Sequence, residues 1–166
     1  MQVHKAPRAK RKPGPASKRP EPTATERAVA CLSRRALSEA ELRRRLSPAY
    51  SSEQVQAAVR RMGELGLIND QDLAERLARD GFERLGHGPS RMVATLRRRG
   101  LDRELAERVA ASTADDQAQR SRAHELLKRF KKRRPGRPPT AEAAFRYLVG
   151  RGYPTELVRD ILDISL

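Results

Sequence analysis

The sequence has no tryptophan, a single cysteine, and only 4% aromatic residues among its 166 positions. A hydrophobic core with few large rings must be built mainly from aliphatic side chains. The single cysteine, Cys31, excludes an internal disulfide and a zinc site made of several cysteines, and it fits a reducing compartment. Because Cys31 lies among Ala28, Val29 and Leu32, we expect a small core residue rather than a reactive thiol.

Long apolar runs are absent as well. No stretch approaches the roughly 20 apolar residues that a membrane-spanning helix needs. The basic N-terminus is not followed by an apolar segment, so it does not have the form of a secretory signal. The sequence therefore predicts a soluble, cytoplasmic protein that does not contact a membrane.

Residues that commonly carry catalysis are few and scattered. The three histidines, His4, His87 and His124, are far apart, and no phosphate-binding loop of the form GxxxxGK[ST] is present. Acid pairs such as Asp70 and Asp72 stand where helices begin, where carboxylates favour free backbone N–H groups and the helix dipole. The sequence predicts a protein that is not an enzyme and that uses no cofactor or metal.

The formal net charge of +15 is concentrated in two segments. Residues 1–24 contain seven basic residues and one acid, and residues 128–139 contain seven basic residues and no acid. The first segment is rich in proline and cannot bury enough apolar surface to fold, so we expect a disordered basic arm. The second contains "KKRRPGRPPT", which interrupts the helical pattern and predicts a basic linker at 131–139. We expect so basic a chain to bind a polyanion or an acidic protein.

From Thr25 onward, apolar residues recur with a period near 3.6, which predicts about nine amphipathic helices and no strand. The helices fall into three groups of three, at residues 25–68, 69–112 and 113–166, with the basic linker inside the third group. Each group is too small to be stable alone, and stacking the groups buries their remaining apolar faces. We therefore predict an all-α fold: a tandem array of three three-helix repeats, elongated and curved, preceded by the disordered arm.

One short pattern occurs twice, as "LRRRGLDRELAERV" from Leu96 and as "LVGRGYPTELVRDI" from Leu148. The matched positions are Leu96 and Leu148, Arg99 and Arg151, Gly100 and Gly152, Glu104 and Glu156, and Leu105 and Leu157. The pattern is typical of a helix, a glycine that ends it, a capped turn and a second helix. In the first group, we expect Leu42 and Glu53 to take the places of Leu96 and Glu104.

Four segments resemble, in their order along the chain, the pattern of the RecX family of recombinase regulators. They are "LSRRALSEAELRRRL", "ELGLINDQDLAERLARD", "GPSRMVATLRRRGLD" and "AFRYLVGRGYPTELVRDIL". The resemblance covers residues 25–166. Leu73 stands where an aromatic residue is common in the family, and the basic arm and linker are not part of the shared pattern. Any contribution of the two basic segments is therefore particular to this chain.

The resemblance implies a non-enzymatic regulator of the RecA recombinase, acting in homologous recombination, DNA repair and the SOS response. Members of the family bind the RecA filament in its helical groove, inhibit its DNA-dependent ATP hydrolysis and strand exchange, and promote disassembly or limit extension. Several also bind single- and double-stranded DNA. The resemblance thus implies the RecA filament and DNA as partners, and we expect a monomer.

Two other hypotheses fit the charge pattern. In the first, the chain is an architectural helical-repeat protein that binds DNA nonspecifically and acts without RecA. In the second, it is a protein-binding adaptor whose charge serves solubility. A requirement for RecA distinguishes the architectural hypothesis from the function that the resemblance implies.

Two sets of basic residues are candidates for binding. The dense, unopposed set near the linker is predicted to bind DNA: Lys128, Lys131, Lys132, Arg133, Arg134 and Arg137. "PGRPP" partly resembles an AT-hook core, but Pro135 replaces the arginine expected before the glycine, which favours a nonspecific phosphate tether. Three consecutive helical residues spread over about 200°, so at least one arginine of each triplet points outward. The residues predicted to bind the partner or DNA are Arg44, Arg45, Arg98, Arg99 and Arg151.

Overall fold

The computed structural model describes residues 21–132 and 139–163. The predicted arm up to residue 20, most of the predicted linker and the last three residues lie outside these ranges. Within them the chain forms nine α-helices and one π-helical turn, and no strand. The helices are α1 (Ala24–Leu32), α2 (Glu39–Leu46), α3 (Ser52–Glu64), α4 (Asp70–Asp80), α5 (Pro89–Arg98), α6 (Arg103–Thr113), α7 (Asp116–Lys132), α8 (Ala141–Val149) and α9 (Thr155–Leu162), and the π-helical turn, Gly81–Leu85, directly follows α4.

The buried apolar side chains form three clusters in chain order. Helices α1–α3 enclose the first cluster, α4–α6 the second and α7–α9 the third. Leu42, Leu96 and Leu148 are fully buried in the first, second and third cluster, each at 0% exposure. Cys31 is buried in the first cluster as predicted, whereas its neighbour Val29 is 44% exposed. The predicted all-α array of three-helix repeats is confirmed.

Side-chain caps determine where the helices begin. Ser38 accepts a hydrogen bond from the backbone N–H of Glu41 at 3.1 Å, and the Glu41 carboxylate accepts one from the Ser38 backbone at 3.2 Å. The side chains of Asn69, Asp102 and Thr140 cap α4, α6 and α8. These caps provide partners for backbone N–H groups that have none inside the helix.

The ends of the two basic segments are helical. Thr23, predicted as part of the arm, caps α1 through reciprocal hydrogen bonds with Glu26, and Ala24 is the buried first residue of that helix. Lys131 and Lys132, predicted to begin the linker, are the last two residues of α7. Local capping and helix continuation therefore extend the folded units slightly into both segments.

The caps also show which residues are equivalent in different units. The core residues four and eight positions after the cap are Leu42 and Leu46 in α2, Met92 and Leu96 in α5, and Ala144 and Leu148 in α8. The predicted equivalence of Leu42 with Leu96 is therefore wrong by one helical turn, and Leu46 is the true counterpart. The arginine triplets that follow these leucines are not equivalent either, because residues 43–45 lie inside α2 whereas residues 97–99 lie at the end of α5. The second residues of α3, α6 and α9 are Glu53, Glu104 and Glu156, as expected.

Candidate functional site

The three units meet at two contacts of the same kind, which we name the first and second junctions. In the first junction, Arg99 and Gly100 at the end of α5 lie against the N-terminus of α2. In the second, Arg151 and Gly152 at the end of α8 lie against the N-terminus of α5. The pattern that occurs twice in the sequence thus places a helix end of one unit on a helix start of the preceding unit.

Both junctions require glycine. Gly100 and Gly152 have φ angles of +80° and +89°, in the left-handed region that side chains disfavour. A Cβ atom on Gly100 would lie 2.7 Å from the Cβ atom of Ala40. A Cβ atom on Gly152 would collide with the backbone nitrogen of Arg91. Close approach between two units therefore explains why the Arg-Gly pair recurs.

An ion pair holds the first junction. The Arg99 guanidinium donates from Nε to Glu41 Oε1 and from Nη2 to Glu41 Oε2, both at 2.9 Å. Arg99 Nη2 also donates to the Ala36 carbonyl at 2.9 Å, and the Ser38 hydroxyl donates to the Arg99 carbonyl. Arg35 adds a second cation to Glu41 at 3.3 Å. A two-point guanidinium–carboxylate pair of this kind fixes both the distance and the orientation of its partners.

Arg99 does not point outward as predicted. Its side chain is only 23% exposed, and that of Glu41 only 10%, because the two meet between the units. Burial raises the pKa of the Glu41 carboxyl, but hydrogen bonds from Arg99 and Ser38 and the charge of Arg99 outweigh it, so the pKa lies below its usual value. Arg99 thus binds a residue of the preceding unit of the same chain.

Asp70 adds a polar contact across the first junction. Its carboxylate, at the start of α4, accepts a hydrogen bond from the backbone N–H of Glu39 at 3.0 Å. Glu39 is the first residue of α2, so this carboxylate caps a helix in the preceding unit. Burial raises the pKa of Asp70, and the nearby charges of Glu39 and Glu41 also raise it.

Backbone groups carry most of the polar contacts in the second junction. The N–H of Gly88 donates to the Arg151 carbonyl at 2.8 Å, and the N–H of Ser90 donates to the Gly152 carbonyl at 3.2 Å. Arg91 Nη1 donates to the Gly150 carbonyl at 3.0 Å. These bonds connect the start of α5 with the turn that follows α8.

The side chain of Arg151 has a different environment from that of Arg99. Its guanidinium carbon lies 4.3 Å from the ring centroid of Tyr147, and that ring stacks on Phe130 with centroids 4.2 Å apart. Arg151 Nε is buried without a hydrogen-bond partner, as is the hydroxyl of Tyr153. Tyr153 is 3% exposed, and burial raises its pKa to about 12. The second junction therefore contains polar atoms whose hydrogen-bonding capacity is unused among the described residues.

Arg122 reinforces the second junction from α7. It donates from Nε to the Phe82 carbonyl at 3.2 Å and from Nη2 to the Glu83 carbonyl, both in the π-helical turn. Its Nη1 pairs with Glu125 at 2.7 Å, and its side chain is 13% exposed. No local sequence pattern indicates this role, because the carbonyls that Arg122 binds lie about 40 positions away.

The other predicted basic residues lie on the surface. Arg44 and Arg45 are exposed on α2, and Arg98 is exposed on α5, where it donates to Thr95 Oγ1 at 3.2 Å. The exposed lysines of the last turns of α7 are Lys128, Lys131 and Lys132. The predicted DNA-binding residues that lie outside the described ranges are Arg133, Arg134 and Arg137. Arg44, Arg45 and the three lysines have no hydrogen bond or ion pair to other described residues.

The described part of the chain holds no group of three or more histidine, cysteine, aspartate or glutamate residues placed to bind a metal ion. None of its helices combines the length and apolar character needed to cross a bilayer. The prominent features of the surface are therefore its junctions and its basic residues.

The fold and its junctions define a tandem three-helix-repeat protein. The family model for the second three-helix domain of RecX matches residues 69–109. Regulatory protein RecX of Mycolicibacterium smegmatis is 33% identical over 142 residues, which cover 81% of this chain and 75% of that protein. Regulatory protein RecX of Deinococcus radiodurans is 35% identical over 127 residues, which cover 76% of this chain and 60% of that protein. The chain belongs to the RecX family of regulatory proteins.

Two crystal structures share the fold. RecX from Lactobacillus salivarius matches with a TM-score of 0.75 at 21% identity, over 86% of this chain and 96% of that chain. A second regulatory protein RecX matches with a TM-score of 0.72 at 18% identity, over 86% of this chain and 70% of that chain. The helical array is thus an architecture that this chain has in common with solved RecX structures.

Proposed function

We propose that this protein regulates the RecA recombinase: it binds the RecA–DNA filament and suppresses ATP hydrolysis and strand exchange. The observation that carries the proposal is the serial coupling of three units by two matching junctions in a chain of the RecX family. Each unit contacts its neighbour through the same helix end, so the three units follow one another along one direction. A filament groove also repeats along one direction, which makes the two shapes compatible.

The exposed basic residues support a second contact of this protein, with DNA. Arg44 and Arg45 project from α2 without partners among the described residues, and Lys131 and Lys132 end α7 where the basic linker begins. Flexible, unopposed cations bind phosphates mainly through counterion release, without reading sequence. We propose that these residues bind single- and double-stranded DNA nonspecifically and hold the protein near the filament.

The test is a titration of this protein into RecA that hydrolyses ATP on saturating single-stranded DNA, at low and at moderate salt. We expect inhibition at protein-to-nucleotide ratios well below those needed to cover the DNA, because the protein acts on the filament. Inhibition that appears only when the DNA is covered, and that vanishes with salt, would contradict the proposal. That result would favour an architectural DNA-binding protein that acts without RecA.

A deletion of residues 1–20 separates DNA binding by the arm from inhibition of RecA. It removes all seven basic residues of the arm and leaves Thr23, which caps α1. We expect weaker binding to naked DNA and unchanged inhibition of RecA. Loss of both activities in a variant that still unfolds cooperatively would show that competition for DNA is the mechanism.

A further inference from the structure

The two junctions differ at one equivalent position. Glu41 is the third residue of α2, and its carboxylate binds Arg99. The third residue of α5 is Arg91, and the residue opposite it, equivalent to Arg99, is Arg151. The first junction therefore pairs an arginine with a carboxylate, whereas the second has an arginine at both equivalent positions.

Three arginines of the second junction, Arg91, Arg98 and Arg151, have no carboxylate partner among the described residues. Burial lowers the pKa of the His87 imidazole. The nearby positive charges of Arg91, Arg98 and Arg151 lower it further. None of these three arginines forms an ion pair within the described ranges. Arg151 Nε is a buried donor without an acceptor, and His87 Nδ1 is buried without a hydrogen-bond partner. Buried donors without acceptors are costly, so an incoming anion would be stabilised there.

The site is open to a partner. Arg91 and Arg98 are exposed on α5, and Arg151 and His87 are half-buried beside them. Two of the arginines belong to the second unit and one to the third, so a single anion between them would bridge both units. A guanidinium offers paired N–H donors that match the two oxygens of a carboxylate.

We propose that the second junction receives a carboxylate from an acidic side chain of the protein partner, in the place that Glu41 occupies in the first junction. This inference rests on the proposed function, in which the partner is the RecA filament. The repeat itself supports a carboxylate, because the same helix-end contact already holds one between Arg99 and the start of α2 at 2.9 Å. Binding at this place would also join the second and third units more firmly.

The substitution Arg91→Glu tests the inference by supplying the carboxylate from within the chain. The new side chain would stand at the position of Glu41 and face Arg151, and it would lose the bond from Arg91 to the Gly150 carbonyl. We expect the midpoint of thermal unfolding to rise by about 2–4 °C, because charge repulsion is replaced by an ion pair. We expect affinity for the RecA filament on single-stranded DNA to fall about tenfold or more, because the site is already occupied.

The matched control is Arg60→Glu. Arg60 is exposed on α3 in the first unit and has no hydrogen bond or ion pair to other described residues. Both substitutions change the net charge equally, so the control should show no rise in the unfolding midpoint and a smaller loss of affinity. A second variant, Arg98→Gln, leaves the backbone contacts of the junction in place and should also weaken filament binding.

Binding to a naked single-stranded oligonucleotide separates the two kinds of anion. We expect Arg91→Glu and Arg60→Glu to weaken DNA binding equally, because the occupant is a carboxylate of the protein. If Arg91→Glu lowers the affinity for naked DNA as much as it lowers the affinity for the filament, the site binds a phosphate and the inference is overturned. If wild type binds the filament and both Arg91→Glu and Arg98→Gln bind as tightly as wild type does, the inference alone fails. If wild type does not bind the filament, the proposed function fails with it.

Discussion

Glu41 and Arg99 form the ion pair that joins the first two units, although they lie 58 positions apart in the chain. Glu41 has two roles, since its carboxylate also accepts the backbone N–H of Ser38 in the capping box. A single side chain thus completes a helix cap and a contact between units. Capping explains why a glutamate stands three residues after Ser38, and the junction explains why its charge is needed there.

Substituting Glu41→Gln should lower the free energy of unfolding by about 1–3 kcal/mol, because it removes a charged acceptor from a largely buried site. The folded-state pKa of Glu41 is lowered, so its stabilisation is complete above the unfolded pKa and is lost as the pH falls through the folded value. The difference between wild type and variant should therefore be largest near neutral pH and shrink in acid. Denaturant unfolding at several pH values measures it, and a difference that is constant with pH would contradict this account.

Helix ends couple the units at the scale of secondary structure elements. The turns that follow α5 and α8 both end in a glycine with positive φ, and both turns lie on the N-terminus of a helix in the preceding unit. The glycine that ends the turn after α3, Gly66, also has positive φ, but no atom lies within 4 Å of a Cβ built there. Glycine is thus required for conformation at all three positions and for space only at the junctions.

This contrast predicts that replacing glycine by alanine lowers the free energy of unfolding by different amounts at the two kinds of position. Gly66→Ala should destabilise the protein by about 1–2 kcal/mol, the cost of a left-handed alanine. Gly152→Ala should cost about 1–3 kcal/mol more, because its methyl group meets the backbone of Arg91. Chemical denaturation of the two variants gives the comparison. Equal costs would mean that the second junction opens without loss of stability.

At the scale of the whole molecule, lysine and arginine are distributed differently along the chain. The lysines stand only before the first unit and around the end of α7, where Lys128, Lys131 and Lys132 are exposed. The folded units use arginine, partly in junctions where a planar group with several donors is needed. This separation suits a protein in which the units bind a partner and the basic segments bind phosphates.

The phosphate tether predicts a steep salt dependence for binding to single-stranded DNA. If the end of α7 and the linker contact five phosphates, the logarithm of the affinity should fall by about 3.5 per decade of salt, at about 0.7 per phosphate. Replacing Lys131 and Lys132 by glutamine should reduce that slope by about 1.4. The control replaces Arg60 and Arg79, both exposed and away from α7, and should change the slope less. A wild-type slope near zero would exclude the tether.

Much of the fold could be predicted because the signals are local. Ser38, Asp102 and Thr140 cap helices through side chains that reach only two or three residues along the chain. The apolar period of 3.6 likewise depends only on neighbours in the same helix. The equivalence of Leu42 with Leu96 was wrong because the leucine that arginines follow stands one helical turn nearer the cap in α2 than in α5.

The sequence by itself determined the helices, their grouping into three units and the recurrence of the Arg-Gly pair, since each depends on residues that are close in the chain. Only the tertiary structure decided that Arg99 binds Glu41, that Arg151 lies on Tyr147 and that Arg91 binds the Gly150 carbonyl. Which charges meet depends on how whole units pack against one another, and no local period or cap carries that information.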